Sequence, residues 1–148
     1  MMRLAYKMEY ISPTKEGTDI ELIKYSSKYR EKYKKVYNEG YHRMREALDI
    51  KPYDYIQDDS FFAEGMDDVF LFTNNDEIIG TVALKQDEID DLIVNSKYQG
   101  LGYGKKILIW AIKNIQTNKP ILHVAGWNEK AVALYKNTGF EITEIIEI

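Results

Sequence analysis

The chain has 148 residues, 45% apolar and 30% charged, the proportions of an ordinary globular domain that can bury a core without metal or disulfide staples. It contains no cysteine, which excludes disulfides, thiolate metal centres and a cysteine nucleophile; its two histidines, His42 and His123, lack acids at ligand spacing, so no metal is expected. The net charge is −4, but residues 52–96 carry −11, so the rest of the chain carries +7.

That asymmetry has two readings: two solvated faces, or two ligands of opposite charge. Between Lys97 and Phe140 there are seven lysines and one acid. Nucleic acid is disfavoured as a partner, because its phosphates would also meet the acidic middle. No apolar run reaches membrane-spanning length and the N-terminus lacks a secretory apolar segment, so no membrane partner and a cytoplasmic location are expected. The length predicts a single domain over 1–148.

In chain order, residues 3–10 alternate, with Leu4, Tyr6, Met8 and Tyr10 on one side, and predict a strand. Residues 12–17 read as a turn and 19–24 as a second short strand. Ser26 or Ser27 is placed to cap a helix starting near Lys28. Tyr25, Tyr29, Tyr33, Tyr37 and Tyr41 recur every four residues, a stripe that predicts one helix, or two with a break near Gly40. Residues 52–68 are polar, acidic and irregular. Strands are predicted over 69–73, 78–84 and 86–94, the first two joined by a hairpin turn at 74–77. Residues 103–117 have helical spacing, stopped by Pro120; residues 121–125 form a strand. A short helix begins at Trp127 or Asn128 and ends at Gly139. Residues 140–148 alternate as a final strand. The fold class is mixed α/β (α+β), with a right-handed crossover making two strands roughly parallel.

Tyr98-Gln99-Gly100-Leu101-Gly102-Tyr103-Gly104-Lys105-Lys106 sets three glycines between the strand over 86–94 and the following helix. A helix start offers unpaired N–H groups and the positive end of the dipole, which suit a phosphate. Neither the dinucleotide fingerprint nor the phosphate-loop pattern fits this spacing. A simple tight turn remains an alternative. Lys105 and Lys106 lie in the first helical turn, where the dipole disfavours cations; a bound polyphosphate or plain solvent exposure would offset that.

The pattern that does fit is Gln-x-x-Gly-x-Gly, met by Gln99, Gly102 and Gly104. With Leu92 and Val94 before it, the segment resembles motif A of the GNAT superfamily of N-acetyltransferases. Downstream, Leu122 and Val124, then Asn128, Ala131, Leu134, Tyr135, Gly139 and Phe140, resemble its motif B. The opening strand over 3–10 is not part of the pattern. The resemblance implies a largely antiparallel central sheet with one parallel pair and helices on both faces. It also implies acetyl-CoA as co-substrate, with its pyrophosphate on the N–H groups of Gly100, Leu101, Gly102, Tyr103, Gly104 and Lys105. The pantetheine arm would run along Leu92, Ile93 and Val94, with Gln99 and Asn128 close by. Asn128 would contact that arm or cap the helix.

By the same resemblance, Tyr135 protonates the leaving thiolate, the alternative being a tyrosine that only packs between helix and sheet. Glu88 or Asp90, on the strand before the glycine turn, serves as general base, the alternatives being another residue, a backbone-and-water route or no base. Simple alternation places Glu88, Asp90, Leu92 and Val94 on one face. His123 is expected to pack with a satisfied hydrogen bond. Residues 52–68 would wall the acceptor site; their carboxylates and aromatics favour a cationic primary amine, such as a polyamine, an amino sugar, a lysine side chain or a peptide N-terminus. Many members of the family dimerise, so a homodimer is compatible. The alternative to an enzyme is a silent acyl-CoA-binding module.

Overall fold

The computed structural model describes residues 3–12 and 17–147. Residues 13–16 of the turn expected over 12–17, and the last residue of the expected final strand, lie outside those residues. Strands β1 (Leu4–Tyr10), β2 (Ile23–Lys24), β3 (Val69–Asn74), β4 (Glu77–Lys85), β5 (Glu88–Val94), β6 (Ile121–Ala125) and β7 (Phe140–Glu147) form one sheet, ordered β2-β3-β4-β5-β6-β1-β7. Among the described residues every neighbouring pair is antiparallel except β5–β6. Helix α1 (Arg30–Ala47) covers one face; α2 (Tyr103–Asn114) and α3 (Glu129–Thr138) cover the other.

The two faces carry separate cores. Around α2 and α3, Met8, Val82, Ile107, Leu108 and Leu122 are almost fully buried. Around α1, Tyr33, Ile56, Leu71 and Ile78 are buried with Tyr29 and Val36, so the tyrosine stripe packs on the sheet. The helix runs unbroken through Gly40. A Cβ there would lie 2.6 Å from Cγ2 of Ile93, so this glycine lets α1 rest close on β5 rather than ending it. Residues 52–68 fold over this second core. The Asn38 side chain holds both backbone groups of Ile56, at 2.8 and 3.0 Å, as a neighbouring strand would.

The β3–β4 hairpin turns on Asn75 and Asp76, both at positive φ, as the right-handed twist of a two-residue hairpin requires. The expected strand over 19–24 shrinks to β2. Ile20 and Leu22 are buried anchors, while the pairing with β3 is registered at Ile23 and Lys24 and extended by the Tyr25 N–H, which donates to Val69 O at 2.9 Å. β1, outside the sequence resemblance, lies between β6 and β7, antiparallel to both.

The feature that positions the site is the parallel pair. β5 and β6 are registered only at Glu88 and Ile121, where the Ile121 N–H donates to the Asp87 carbonyl at 2.8 Å. Beyond that point the strands diverge and leave a cleft through the sheet.

Candidate active site

The glycine turn is held from below by side chains. The N–H of Asn95 donates to Ile79 O and its side-chain amide to Ile78 O, at 2.8 and 2.9 Å, while its Oδ1 accepts from the Lys97 N–H. Gln99 Nε2 donates to the Val94 carbonyl at 3.1 Å, closing the end of β5. Gly100 and Gly102 have φ of +79° and +87°, which other residues rarely adopt. A Cβ at either would meet no protein atom within 4 Å, so packing does not require glycine there; the backbone angle and the open groove do. Gly102 precedes α2 with no side-chain cap. The first helical bond of α2 runs from the Lys106 N–H to Gly102 O at 3.3 Å, leaving the N–H groups of Tyr103, Gly104 and Lys105 at an uncapped helix start.

Leu92, Val94, Gln99, Gly100, Gly102, Tyr103 and Gly104 line a groove of about 310 Å³ together with Tyr135. Leu101 is 65% exposed and offers only backbone, as expected of it, and Lys105 is also exposed. Ile93 is absent from the groove but lines the adjoining cavity, with its side chain packed on the α1 face. The groove opens into a cavity of about 450 Å³ at the divergence of β5 and β6, and the two share Leu92, Val94, Gln99, Lys130, Ala131 and Tyr135. Asn128 lines the cavity while its Oδ1 caps α3 at the Ala131 N–H. A separate hollow of about 350 Å³ between α1 and residues 95–97 shares no lining residue with this cleft.

Tyr135 stands where groove and cavity meet. Its ring packs edge-on against Phe140. Burial, and then the charge of Asp90, push its hydroxyl up to about 12, so it stays a proton donor at neutral pH.

The carboxylates are not arranged as alternation predicts. Residues Thr81 and Ala83 of β4 face Ile93 and Asp90, so β5 has one residue more than its partner and bulges; Asp91 has φ +50°. Ile89, Leu92 and Val94 therefore pack on the α2–α3 side, whereas Asp90 and Asp91 turn toward the α1 side with Ile93. Asp90 and Asp91 both line the cavity; Glu88 does not. Glu88 Oε1 instead lies 2.8 Å from Nδ1 of His123, which does line it.

Asp91 and Tyr41 are site residues that sequence reasoning missed. The Tyr41 hydroxyl donates to Asp91 Oδ1 at 2.5 Å. Burial, and then the neighbouring Asp90 charge, raise the Asp91 carboxyl above its usual range, against the opposing pull of Tyr41 and Lys85. The sequence signal was the doubled Asp90-Asp91 inside a strand, a place where β propensity disfavours aspartate.

The segment expected to wall an acceptor site does not reach the cleft. None of residues 52–68 lines groove or cavity; the wall is Gly40, Tyr41, Arg43 and Met44 of α1. The acids of that segment are partly paired: Asp54 with His42 at 2.8 Å and Asp59 with Arg30 at 3.6 Å. Negative charge at the cavity comes from Asp90 and Asp91, with Arg43 and Lys130 on its rim.

A splayed parallel pair, a glycine-opened helix start and a tyrosine at the junction are the features that the resemblance to the acetyltransferase family implies. The family model described as the acetyltransferase (GNAT) family matches residues 29–140, and the chain belongs to that family. The match stops short of β1 and nearly all of β7. No curated protein sequence matches the chain. Among solved structures it is similar to a GNAT-family acetyltransferase from Colwellia psychrerythraea (12% identity, TM-score 0.77, covering 98% of this chain and 55% of that one). It is also similar to apo YjaB of Escherichia coli (20% identity, TM-score 0.66, 84% of each chain). A GNAT-family protein from Novosphingobium aromaticivorans matches at 13% identity and TM-score 0.66, over 98% of this chain and 62% of its own length. The chain thus spans little more than half the length of the Colwellia and Novosphingobium proteins. Among the described residues no helix is long and apolar enough to cross a membrane.

Proposed function

We propose that the protein is an acetyl-CoA-dependent N-acetyltransferase that acts on a primary amine by direct transfer. The observation that carries this reading is the continuity of the cleft: uncapped N–H groups of α2 at one end, Tyr135 at the bend, and two carboxylates beyond it. The N–H groups of residues 103–105 and the open backbone at Gly100 and Gly102 suit a pyrophosphate. The edge of β5 left free by the divergence from β6 suits the amide-bearing pantetheine arm.

The residues then divide the proton work. A primary ammonium, with a pKa near ~10.4, must lose a proton before it can attack. Asp90 takes that proton, because it lines the cavity and its charge reaches Tyr135. The nitrogen lone pair forms the new C–N bond, the C–S bond breaks, and Tyr135 gives its proton to the sulfur. The second proton on nitrogen restores the phenol, and the proton on Asp90 goes to solvent. Glu88 acts only through His123, by orienting it at the cavity edge. A cationic acceptor fits Asp90 and Asp91 better than it fits the acidic 52–68 segment.

A thiol-release assay with acetyl-CoA over a panel of primary amines tests the reading. Turnover with at least one amine is expected. Tight CoA binding with no turnover on any amine would make the protein a silent binding module instead. Replacing Gly102 with valine should abolish CoA binding measured by calorimetry; unchanged affinity would refute the phosphate cradle.

A further inference from the structure

Lys85 is a charged group beside the cavity that the reaction above does not use. It ends β4, opposite Glu88, and its ammonium Nζ lies 3.3 Å from Oδ2 of Asp90 and 4.0 Å from Oδ2 of Asp91. The other oxygens of these two carboxylates are already engaged. Asp90 Oδ1 accepts from the Asp91 N–H at 2.8 Å, and Asp91 Oδ1 accepts from Tyr41. Each carboxylate is thus tethered by one oxygen and directs the other at a single ammonium. Both carboxylates line the cavity; Lys85 is not among its lining residues and reaches them from outside.

The other charged groups of the cavity do not compete for this position. Among the described residues Arg43 and Lys130 form no ion pair with either carboxylate, and His123 is engaged with Glu88. The Lys85 side chain is 47% exposed at the end of a hairpin, so it can swing into solvent without disturbing a core. Tyr41 and the bulge are fixed in α1 and β5, so the two carboxylates stay in place when it leaves.

We propose that the Oδ2 atoms of Asp90 and Asp91 receive the acceptor's ammonium group, and that Lys85 is an internal competitor holding that position in the resting protein. Asp91 then determines specificity for a primary amine, Tyr41 positions Asp91, and Asp90 is the proton acceptor. The inference rests on the acetyltransferase reading of the cleft. It makes a demand that reading does not: removing a positive charge from the protein should improve binding of a positively charged substrate in the manner of a vacated site.

The test is an NMR titration of the ¹⁵N-labelled protein with putrescine, using 1,4-butanediol as the uncharged control and following the amides of residues 88–94. Three proteins are compared: wild type, Lys85→Met and Asp91→Asn. Asparagine tolerates the positive φ of position 91 and can still accept from Tyr41, so the fold is retained. If Lys85 fills the position most of the time, Lys85→Met should bind putrescine about tenfold more tightly than wild type. Asp91→Asn should bind it about tenfold more weakly, having lost one charge-assisted contact. The diol should move nothing. Putrescine binding to Lys85→Met that is no tighter than wild type, or not saturable, overturns the proposal, as does unchanged affinity in Asp91→Asn. CoA added to the same samples should shift the amides of residues 100–105. If it does not, the acetyltransferase reading has failed; if it does and the amine results are negative, only the competitor proposal has.

Discussion

Tyr135 and Asp91 are both titratable groups displaced from their ordinary range by burial, and the displacement has opposite consequences for the two. For Tyr135 it preserves the form that the proposed acid role needs: a hydroxyl pushed up to about 12 remains protonated at neutral pH. Tyr135→Phe should therefore lower turnover by about 100-fold or more while the KM for acetyl-CoA stays within about twofold, since a positioned general acid contributes roughly 10²–10⁴. Equal loss in both parameters, measured by steady-state kinetics, would remove the acid role. For Asp91 the raised pKa works against the fold. The native state holds this proton more tightly than the unfolded chain. The stability it contributes is present below the ordinary carboxylate value and is lost as pH rises through the folded value. Asp91→Asn should leave the melting temperature at pH 7 unchanged or higher by calorimetry, although acceptor binding suffers. A clear fall would make the carboxylate a structural residue.

Among the elements, α1 and β5 show how a close approach organises a site. Gly40 brings the helix onto Ile93, and the bulge at Asp91 turns two carboxylates toward that helix. Gly40→Ala forces a methyl group into a buried isoleucine and should cost about 1–3 kcal/mol, read from the urea midpoint, as overpacking commonly does. The tyrosines of α1 predict an alkaline weakness. Burial raises Tyr33, Tyr37 and Tyr41 above the ordinary phenol value of 10.0, with Asp91 adding to each. A raised folded pKa gives stability that is complete below the unfolded value and lost as pH climbs past it, so thermal stability should drop steeply above about pH 10. Phenylalanine at position 33 should soften that drop. The helix was legible from its four-residue repeat, but its continuity through Gly40 was not, because a glycine that ends a helix and one that admits a neighbouring strand look alike in sequence. The bulge was invisible for a related reason. Alternation assumes one residue opposite one residue, and only the pairing with β4 reveals the extra one.

For the molecule as a whole, β1 joins the edge strand β7 to the rest of the sheet. It sits between β6 and β7 and brings Met8, fully buried, into the core beneath α2 and α3. Met8→Ala should cost about 2–5 kcal/mol by chemical denaturation, the usual range for emptying a buried methionine site. A smaller loss would mean that β7 holds its place without β1. The charge asymmetry read from composition also looks different when folded. The acidic segment 52–96 is met by bases from elsewhere: Lys28 at Asp76, Lys97 at Glu77, Arg30 at Asp59 and His42 at Asp54. These pairs engage only part of the segment's acids; at the cleft itself the negative charge is that of Asp90 and Asp91.

Residue order alone made legible the family, the glycine turn before α2, the tyrosine on α3 and a mixed sheet with one parallel pair. Each of these is written locally, in a few residues at fixed spacing whose backbone angles or periodicity follow from residue type. Long-range packing settled which acids face the cleft, that Glu88 reaches it through His123, that α1 rather than residues 52–68 lines the cavity, and that β1 lies between β6 and β7, one strand in from the edge. Those depend on pairing between segments distant in the chain. Strand register and helix docking are settled by the joint packing of both partners, and neither partner's sequence states them alone.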